Sequence, residues 1–337
     1  MTDLKQTIIK LAGGSILNPE EAQQAFDVIM SGDATDVQIG AFLMGLRQRG
    51  ETIDEIAAAA RVMRDKSVKV DAPEGAIDTC GTGGDASGTY NISTAAAFVL
   101  AACGVPVAKH GNRALSSQSG SSQVLEALGV NIMVGPDVVE RSIREAGLGF
   151  MFAPKHHGAM KHVGPARAEL GFRTIFNLLG PLSNPARTKH QLVGVFSEHW
   201  VRPMAFVLNE LGCERAWVVH GRDGLDELTT TADSAVAELK DGEVSSFTVT
   251  PEDAGLPRAR PDQLKGGDAD ENAAALKALL EGAYGPYRDI VVLNAAAALI
   301  VAGRAETLEE GAAAAQMVIN SGAAKDVLDK LVAVTNG

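Results

Sequence analysis

Residues 78–85 read Asp78-Thr79-Cys80-Gly81-Thr82-Gly83-Gly84-Asp85, continue through Ala86-Ser87-Gly88-Thr89-Tyr90, and open onto Asn91-Ile92-Ser93-Thr94 at a helix start. Glycines let a backbone turn sharply and bring several N–H groups to one anion, and the positive end of a helix adds to the attraction. The stretch reads as a phosphate cradle. The plainer alternative is a flexible turn, but a turn has no need of a preceding strand and a hydroxyl-rich helix start. No lysine follows the last glycine, so this is not a P-loop, and the glycine spacing is not that of a dinucleotide site.

Downstream, Lys109-His110-Gly111-Asn112-Arg113-Ala114-Leu115-Ser116-Ser117-Gln118-Ser119-Gly120-Ser121 puts three basic side chains, an amide and several hydroxyls on one connection. That set of donors suits a second phosphate or a ribose, although a solvated basic loop would look similar. Consecutive strand ends lie side by side in a parallel sheet, so two such loops can share one ligand. Asp226-Glu227, within Gly221-Arg222-Asp223-Gly224-Leu225-Asp226-Glu227-Leu228-Thr229, adds hard oxygen donors of the kind magnesium shares with phosphates and water. Taken alone, an Asp-Glu pair is more often surface charge.

The elements that must position these groups are legible in the pattern. Asn18-Pro19-Glu20-Glu21 opens a helix with a capping side chain, proline at the first position and acids at the positive end, and Gly32 closes it. Thr35 with Gln38 and Thr52 with Glu55 form capping boxes for two more, so residues 1–70 read as four helices. From Ile77 onward, short apolar runs at 76–80, 105–111, 149–153, 191–196 and 215–221 alternate with helical stretches, as parallel strands with crossover helices do. Residues 235–249 read as a hairpin turning at Asp241-Gly242, and 271–335 as helices. The expected class is α/β: a small all-helical domain plus a larger α/β domain with a mostly parallel central sheet flanked by helices. The expected boundaries are 1–70 for the helical domain, with 163–187 packing back on it, and 75–162 with 188–337 for the α/β domain.

Bulk properties narrow the partners. Hydrophobic residues are 46% of the 337 but aromatics only 4%, so the core is aliphatic, which suits helices on a parallel sheet. Lys and Arg number 30 against 42 Asp and Glu, and the net charge of −12 repels nucleic acid and anionic membrane at long range. An anionic ligand must therefore be held by a local cluster. Cys80, Cys103 and Cys213 are odd in number and scattered, against both a disulfide framework and a zinc knuckle, and a reducing cytoplasm is expected. The first residues carry no basic segment followed by an apolar one, and no apolar run is long enough for a membrane span.

The strings CGTGGD, KHGNR with SSQSG, FNLLGPLSNP and GLDEL, in this order and spacing, closely resemble the anthranilate phosphoribosyltransferases, over residues 4–335. The resemblance implies a helical domain beside an α/β domain, similar in fold to the pyrimidine nucleoside phosphorylases, and a homodimer formed through the helical part. It implies transfer of a phosphoribosyl group from phosphoribosyl pyrophosphate (PRPP) to the amine of anthranilate, a step of tryptophan biosynthesis. Magnesium is the implied cofactor, with two ions per subunit. Gly81, Gly84, Asp85, Thr89, Asn91, Ile92, Ser93 and Thr94 match the PRPP contacts of the first loop. Lys109, His110, Gly111, Asn112, Arg113, Ala114, Leu115, Ser116 and Ser117, with Ser121, match those of the second. Ser93 with Glu227 would hold one magnesium, and Asp226 with Glu227 another. Gly81, Asn112 and Arg167 match the anthranilate contacts, with Arg167 facing the carboxylate.

The sequence departs from the family pattern where a lysine often replaces Gln118, an aspartate Gln123 and a serine Ala114, and the first departure predicts weaker PRPP affinity. No fused glutamine amidotransferase is expected, since the chain opens directly on the helical unit. His156, His157 and His162 have no zinc-site spacing and read as packing or as a pocket wall. No general base is assigned, because the aromatic amine is largely unprotonated at neutral pH. Two alternatives stand beside this reading: a pyrimidine nucleoside phosphorylase of the same fold, and a non-catalytic homologue that binds nucleic acid.

Overall fold

The computed structural model describes residues 4–85, 87–113 and 119–337. Four helices come first: α1 (Leu4–Ala12), α2 (Pro19–Ser31), α3 (Asp36–Arg49) and α4 (Ile53–Asp65). The capping boxes expected at Asn18, Thr35 and Thr52 are formed; at Asn18 the side chain accepts the Glu21 N–H at 2.8 Å and Glu21 accepts the Asn18 N–H at 2.9 Å. These caps satisfy donors that a helix start otherwise leaves open. The apolar faces of the bundle meet at Phe26 and Phe42, whose rings stack edge to face at 5.3 Å.

The remainder alternates strands with helices. In order come β1 (Ile77–Gly81), α5 (Ile92–Ala102), β2 (Val107–Gly111), α6 (Ser121–Ala127), α7 (Pro136–Ala146) and β3 (Leu148–Phe152). Then follow α8 (Ala153–His156), α9 (Gly164–Leu170), α10 (Phe176–Leu182), β4 (His190–Gly194), α11 (Val201–Glu210) and β5 (Arg215–Gly221). The hairpin β6 (Ser234–Lys240) and β7 (Glu243–Val249) precedes α12 (Ala269–Leu280), α13 (Pro286–Val301), α14 (Leu308–Asn320) and α15 (Ala323–Asn336). The strands form one sheet in the order β3-β2-β1-β4-β5-β6-β7. β3 through β5 pair in parallel, while β6 and β7 add antiparallel at one edge. The hairpin turns at Asp241 (φ 53°) and Gly242 (φ 79°), the left-handed pair that a two-residue turn between twisted strands demands. The mostly parallel sheet expected from the sequence is therefore present.

Beside a smaller cluster around Ala108, Ile143 and Met151, two large apolar cores cover the two faces. One gathers Ile77, Phe98, Val107 and Leu293 beneath α5, α13, α14 and α15. The other runs from Phe26, Phe42 and Ile56 in the bundle through Val163, Ile175 and Leu179 to Met204, Val193, Val218 and Ala237. The segment that interrupts the strand rhythm thus packs its apolar side chains among those of the first four helices, with the Phe26 and Phe176 rings 6.1 Å apart. Buried Arg64 of α4 reinforces this joint by donating to the Leu182 carbonyl at 2.6 Å and the Leu211 carbonyl at 3.2 Å. No described helix is long and apolar enough to cross a membrane.

Candidate active site

Strand order reverses between β1 and β4, and in an open parallel sheet ligands bind in the crevice beyond the strand ends at that reversal. The last residues of the two strands, Gly81 and Gly194, are register partners. Over them lies Asp226, carried by the loop after β5. Its carboxylate oxygen accepts the Gly83 N–H at 2.6 Å, and a β-carbon at Gly81 or Gly194 would run into Asp226 itself. Glu227 Oε1 accepts the Ser93 N–H at 3.2 Å, so the acidic pair ties the first loop and the start of α5 to the far side of the crevice.

Both carboxyls are pushed well above the usual range. For Asp226 burial is the main cause and the charge of Asp85 the next. For Glu227 it is burial, then Asp226, with Lys109 acting in the opposite sense. Two crowded acids short of positive charge form a site that a divalent cation would relieve. Among the described residues no three His, Cys, Asp or Glu side chains gather as a metal group of their own. Two carboxylates, with substrate phosphates and water completing the shell, is the arrangement magnesium commonly adopts, so these residues fit that ion.

The first loop is shaped by Gly83 and Gly84, consecutive left-handed residues at φ 68° and 76° that turn the chain back over the strand end. Asp85 Oδ1 accepts the Ser87 N–H at 3.2 Å, and the Thr89 hydroxyl lies 3.2 Å from that of Ser87. Thr89 also forms an isolated antiparallel bridge with Lys265. Asn91 Nδ2 donates to the Ser119 carbonyl of the second loop at 3.5 Å, and two residues outside both loops also hold it. Asn272 Nδ2 donates to its Oδ1 at 3.1 Å, and the Tyr287 hydroxyl donates to its carbonyl at 3.3 Å. The side chains of Ile92 and Thr94 are buried in the core side of α5, and the Ile92 N–H is occupied by the Tyr90 carbonyl at 2.9 Å.

In the second loop, Lys109 is buried and its ammonium donates to the Thr79 carbonyl. It supplies charge from beneath the loop. The His110 N–H donates to Asp78 Oδ1 at 3.1 Å, and its ring Nδ1 lies 3.2 Å from the Gly180 carbonyl. Burial, then the neighbouring His157, push the His110 ring down to about 3; burial likewise lowers His157 to about 4. The two rings sit 5.0 Å apart. Gly111 backs onto Ser121 and Phe150, leaving no room for a side chain, and Ser121 Oγ donates to the Asn112 carbonyl at 3.3 Å. The Arg113 N–H donates to Asn112 Oδ1 at 2.8 Å, while its guanidinium stands 3.5 Å from Glu126. Ala114, Leu115, Ser116 and Ser117 lie outside the described residues, as does Gln118. Gln123 accepts the Gly120 N–H at 3.0 Å and so caps α6.

Arg167 projects from α9 with its guanidinium 5.3 Å from the centre of the Phe176 ring and no acidic partner among the described residues. Burial lowers its pKa. A cation kept half-buried without a carboxylate is suited to receive one from a ligand. The sequence reading passed over Arg173, which stacks on Phe196 at 4.4 Å and donates to the Gly84 carbonyl. It also passed over the buried pair Asp78 and Asn184, in which Asn184 Nδ2 donates to Asp78 Oδ2 at 2.7 Å and to the Ala108 carbonyl at 2.9 Å. An acid in the middle of the apolar run at 76–80 was the available signal for Asp78.

The remaining suspects have ordinary roles. His156 Nδ1 lies 2.8 Å from the Val68 carbonyl, and His162 packs under Gly32. Cys80 is buried, and burial raises its thiol well above the usual range, which makes it a poor nucleophile.

A helical bundle joined to an α/β domain, with a glycine-rich loop and an acidic pair at the strand reversal, is the architecture of a class of glycosyl transferases. Residues 5–67 match the glycosyl transferase family's helical bundle domain and residues 73–325 its a/b domain. The anthranilate phosphoribosyltransferase of Parvibaculum lavamentivorans is 62% identical over 337 residues, covering 100% of this chain and 99% of that protein. The crystal structure of the Thermus thermophilus anthranilate phosphoribosyltransferase has a TM-score of 0.94 at 45% identity, covering 98% of this chain and 99% of that one. The Saccharomyces cerevisiae enzyme in complex with PRPP and Mg has a TM-score of 0.90 at 28% identity, covering 99% and 98%. The chain belongs to the anthranilate phosphoribosyltransferase family.

Proposed function

We propose that this protein transfers the phosphoribosyl group of PRPP to the amine of anthranilate, releasing pyrophosphate, as a step of tryptophan biosynthesis. The observation that carries the reading is the acidic pair Asp226-Glu227, locked over the β1–β4 strand ends by the Gly83 and Ser93 amides. A phosphoribosyl donor presents a pyrophosphate that a divalent cation and backbone amides would hold, and the acidic pair and the glycine loop that could supply them border one crevice.

In the reaction the bond from the anomeric carbon to the pyrophosphate oxygen breaks, with the electron pair leaving on pyrophosphate. The anthranilate nitrogen forms the new bond and releases its proton. Bound magnesium supplies charge neutralisation for the departing group, held by Ser93 with Glu227 at one position and Asp226 with Glu227 at a second. In this reading Gly81, Gly84, Asp85, Thr89 and residues 91–94 of the first loop, and residues 109–117 with Ser121 of the second, contact the pyrophosphate and ribose. Arg167 takes the acceptor carboxylate and Asn112 and Gly81 flank its ring, so that the amine lies in line with the anomeric carbon. His110 is kept neutral by burial and contributes shape and hydrogen bonding.

We also propose the division of the chain into residues 1–70 with 163–187 and residues 75–162 with 188–337, and a homodimer through the first of these. Ile9, Ile16, Val37 and Met44 leave apolar side chains exposed on the bundle, an area that a second copy would cover. The three free cysteines favour a cytoplasmic setting.

The test is loss of anthranilate fluorescence on mixing the purified protein with anthranilate, PRPP and magnesium, with each component omitted in turn. Loss that requires all three is expected. A folded protein that leaves the fluorescence unchanged while cleaving a pyrimidine nucleoside with phosphate would overturn the assignment.

A further inference from the structure

From Ile290 to Val301, α13 reads Ile290-Val291-Val292-Leu293-Asn294-Ala295-Ala296-Ala297-Ala298-Leu299-Ile300-Val301, and Asn294 is the one polar side chain in the run. It is fully buried. A buried amide costs free energy unless each of its groups finds a partner, and any aliphatic residue would suit the surrounding core better. Asn294 has those partners, and two of its three bonds are to a single residue outside the helix. Its Oδ1 accepts the Leu228 N–H at 3.1 Å, while its Nδ2 donates to the Leu228 carbonyl at 2.8 Å and to the Ile290 carbonyl at 2.9 Å. The side-chain amide thus pairs with Leu228 as a neighbouring strand would.

Leu228 directly follows the acidic pair. On the opposite side of that pair the loop is knotted by Asp223, whose carboxylate accepts the Thr229 hydroxyl at 2.7 Å and the Thr231 hydroxyl, and by Asp223 Oδ1 accepting the Leu225 N–H at 3.3 Å. A loop held only at the surface would be free to swing the Asp226 and Glu227 carboxylates apart into solvent. A loop fixed to a helix in the centre of the core has no such freedom.

We propose that Asn294 is a positioning residue for the divalent-cation site: it clamps Leu228 so that the Asp226 and Glu227 carboxylates keep the separation and direction a cation requires. The proposal rests on reading Asp226 and Glu227 as cation ligands. Removing a residue that orients a ligand from behind commonly weakens metal affinity by roughly 10–100-fold while leaving every ligand in place.

The experiment titrates Mn2+ into the full-length protein with PRPP present and anthranilate absent, so that no turnover occurs, and follows the enhancement of water proton relaxation by protein-bound Mn2+. Three variants are compared with the unaltered chain: Asn294→Ala, Leu299→Ala as a core truncation in the same helix, and Glu227→Gln. The expected result is Mn2+ binding weakened about tenfold or more by Asn294→Ala and by Glu227→Gln, and little changed by Leu299→Ala at a similar loss of melting temperature. If Glu227→Gln weakens binding while Asn294→Ala does no more than Leu299→Ala, the clamp is wrong and the ligand assignment stands. If Glu227→Gln leaves binding unchanged, the ligand assignment fails and the clamp with it. Should Asn294→Ala not fold, Asn294→Ser carries the same comparison, because its hydroxyl keeps the site polar and uncharged but is too short to bond both the N–H and the carbonyl of Leu228.

Discussion

Gly81 and Gly194 are paired across β1 and β4, and Asp226 lies against both so closely that neither position has room for a methyl group. At Gly194 the obstacle is the backbone of Asp226, which cannot rotate away as a side chain can. Gly194→Ala should therefore displace the acidic pair. The expected outcome is a stability loss of about 1–3 kcal/mol in urea unfolding together with a fall in kcat/KM far larger than the fraction unfolded explains. An alanine enzyme of normal turnover would show that the loop bearing Asp226 can shift without consequence.

Arg167 is half-buried, with an aromatic ring behind its guanidinium and no carboxylate of its own among the described residues. Arg167→Ala is expected to cost about 1.5–3 kcal/mol of acceptor binding, which is roughly tenfold or more in the KM for anthranilate. The KM for PRPP should stay near its original value. Equal changes in both constants would mean that Arg167 supports the fold of the segment and does not meet the acceptor.

His110 and His157 are both depressed by burial, to about 3 and about 4 from a solvent value near 6.5. A group depressed in this way is protonated more readily in the unfolded chain once pH falls below 6.5. Its contribution to stability is complete above that pH and is lost as pH falls toward the folded value, on the order of 3 kcal/mol at most for His157. His157→Gln should accordingly flatten the decline of melting temperature between pH 6.5 and 4. A slope identical to that of the unaltered protein would mean that His157 is already solvated or charged.

Val37 is 82% exposed and Ile9 63%, both on helices whose other faces are buried. If the chain dimerises through this face as proposed, Val37→Glu combined with Ile9→Glu should convert the dimer to a monomer in size-exclusion chromatography with light scattering, with the helical content unchanged. A dimer that survives both charges uses another face.

Much of this architecture could be read before any coordinates. Helix starts announce themselves through local chemistry, which is why Asn18, Thr35 and Thr52 were all recognisable as caps. The alternation from Ile77 onward identified the sheet, and the Gly-rich and basic loops fell at strand ends. Contacts between residues far apart in the chain were not legible in this way. Asp78 was visible as an acid in an apolar run, but its partner Asn184 is 106 residues away. Asn272 and Tyr287 reach Asn91 from the C-terminal helices, and nothing in the local pattern of either element points to the other. Arg173 lies six residues beyond Arg167, yet one approaches the first loop and the other stands over Phe176, a difference set by short helices whose orientation depends on tertiary packing.

The core that begins at Phe26 continues without a break through Leu179 to Met204 and Val218. The bundle and that face of the sheet therefore share a single interior, and neither has a finished surface where they meet. Separated from the rest, the first four helices would expose the apolar side chains that now face α10 and α11. A gene fragment encoding them alone would be expected to yield an aggregating or molten product.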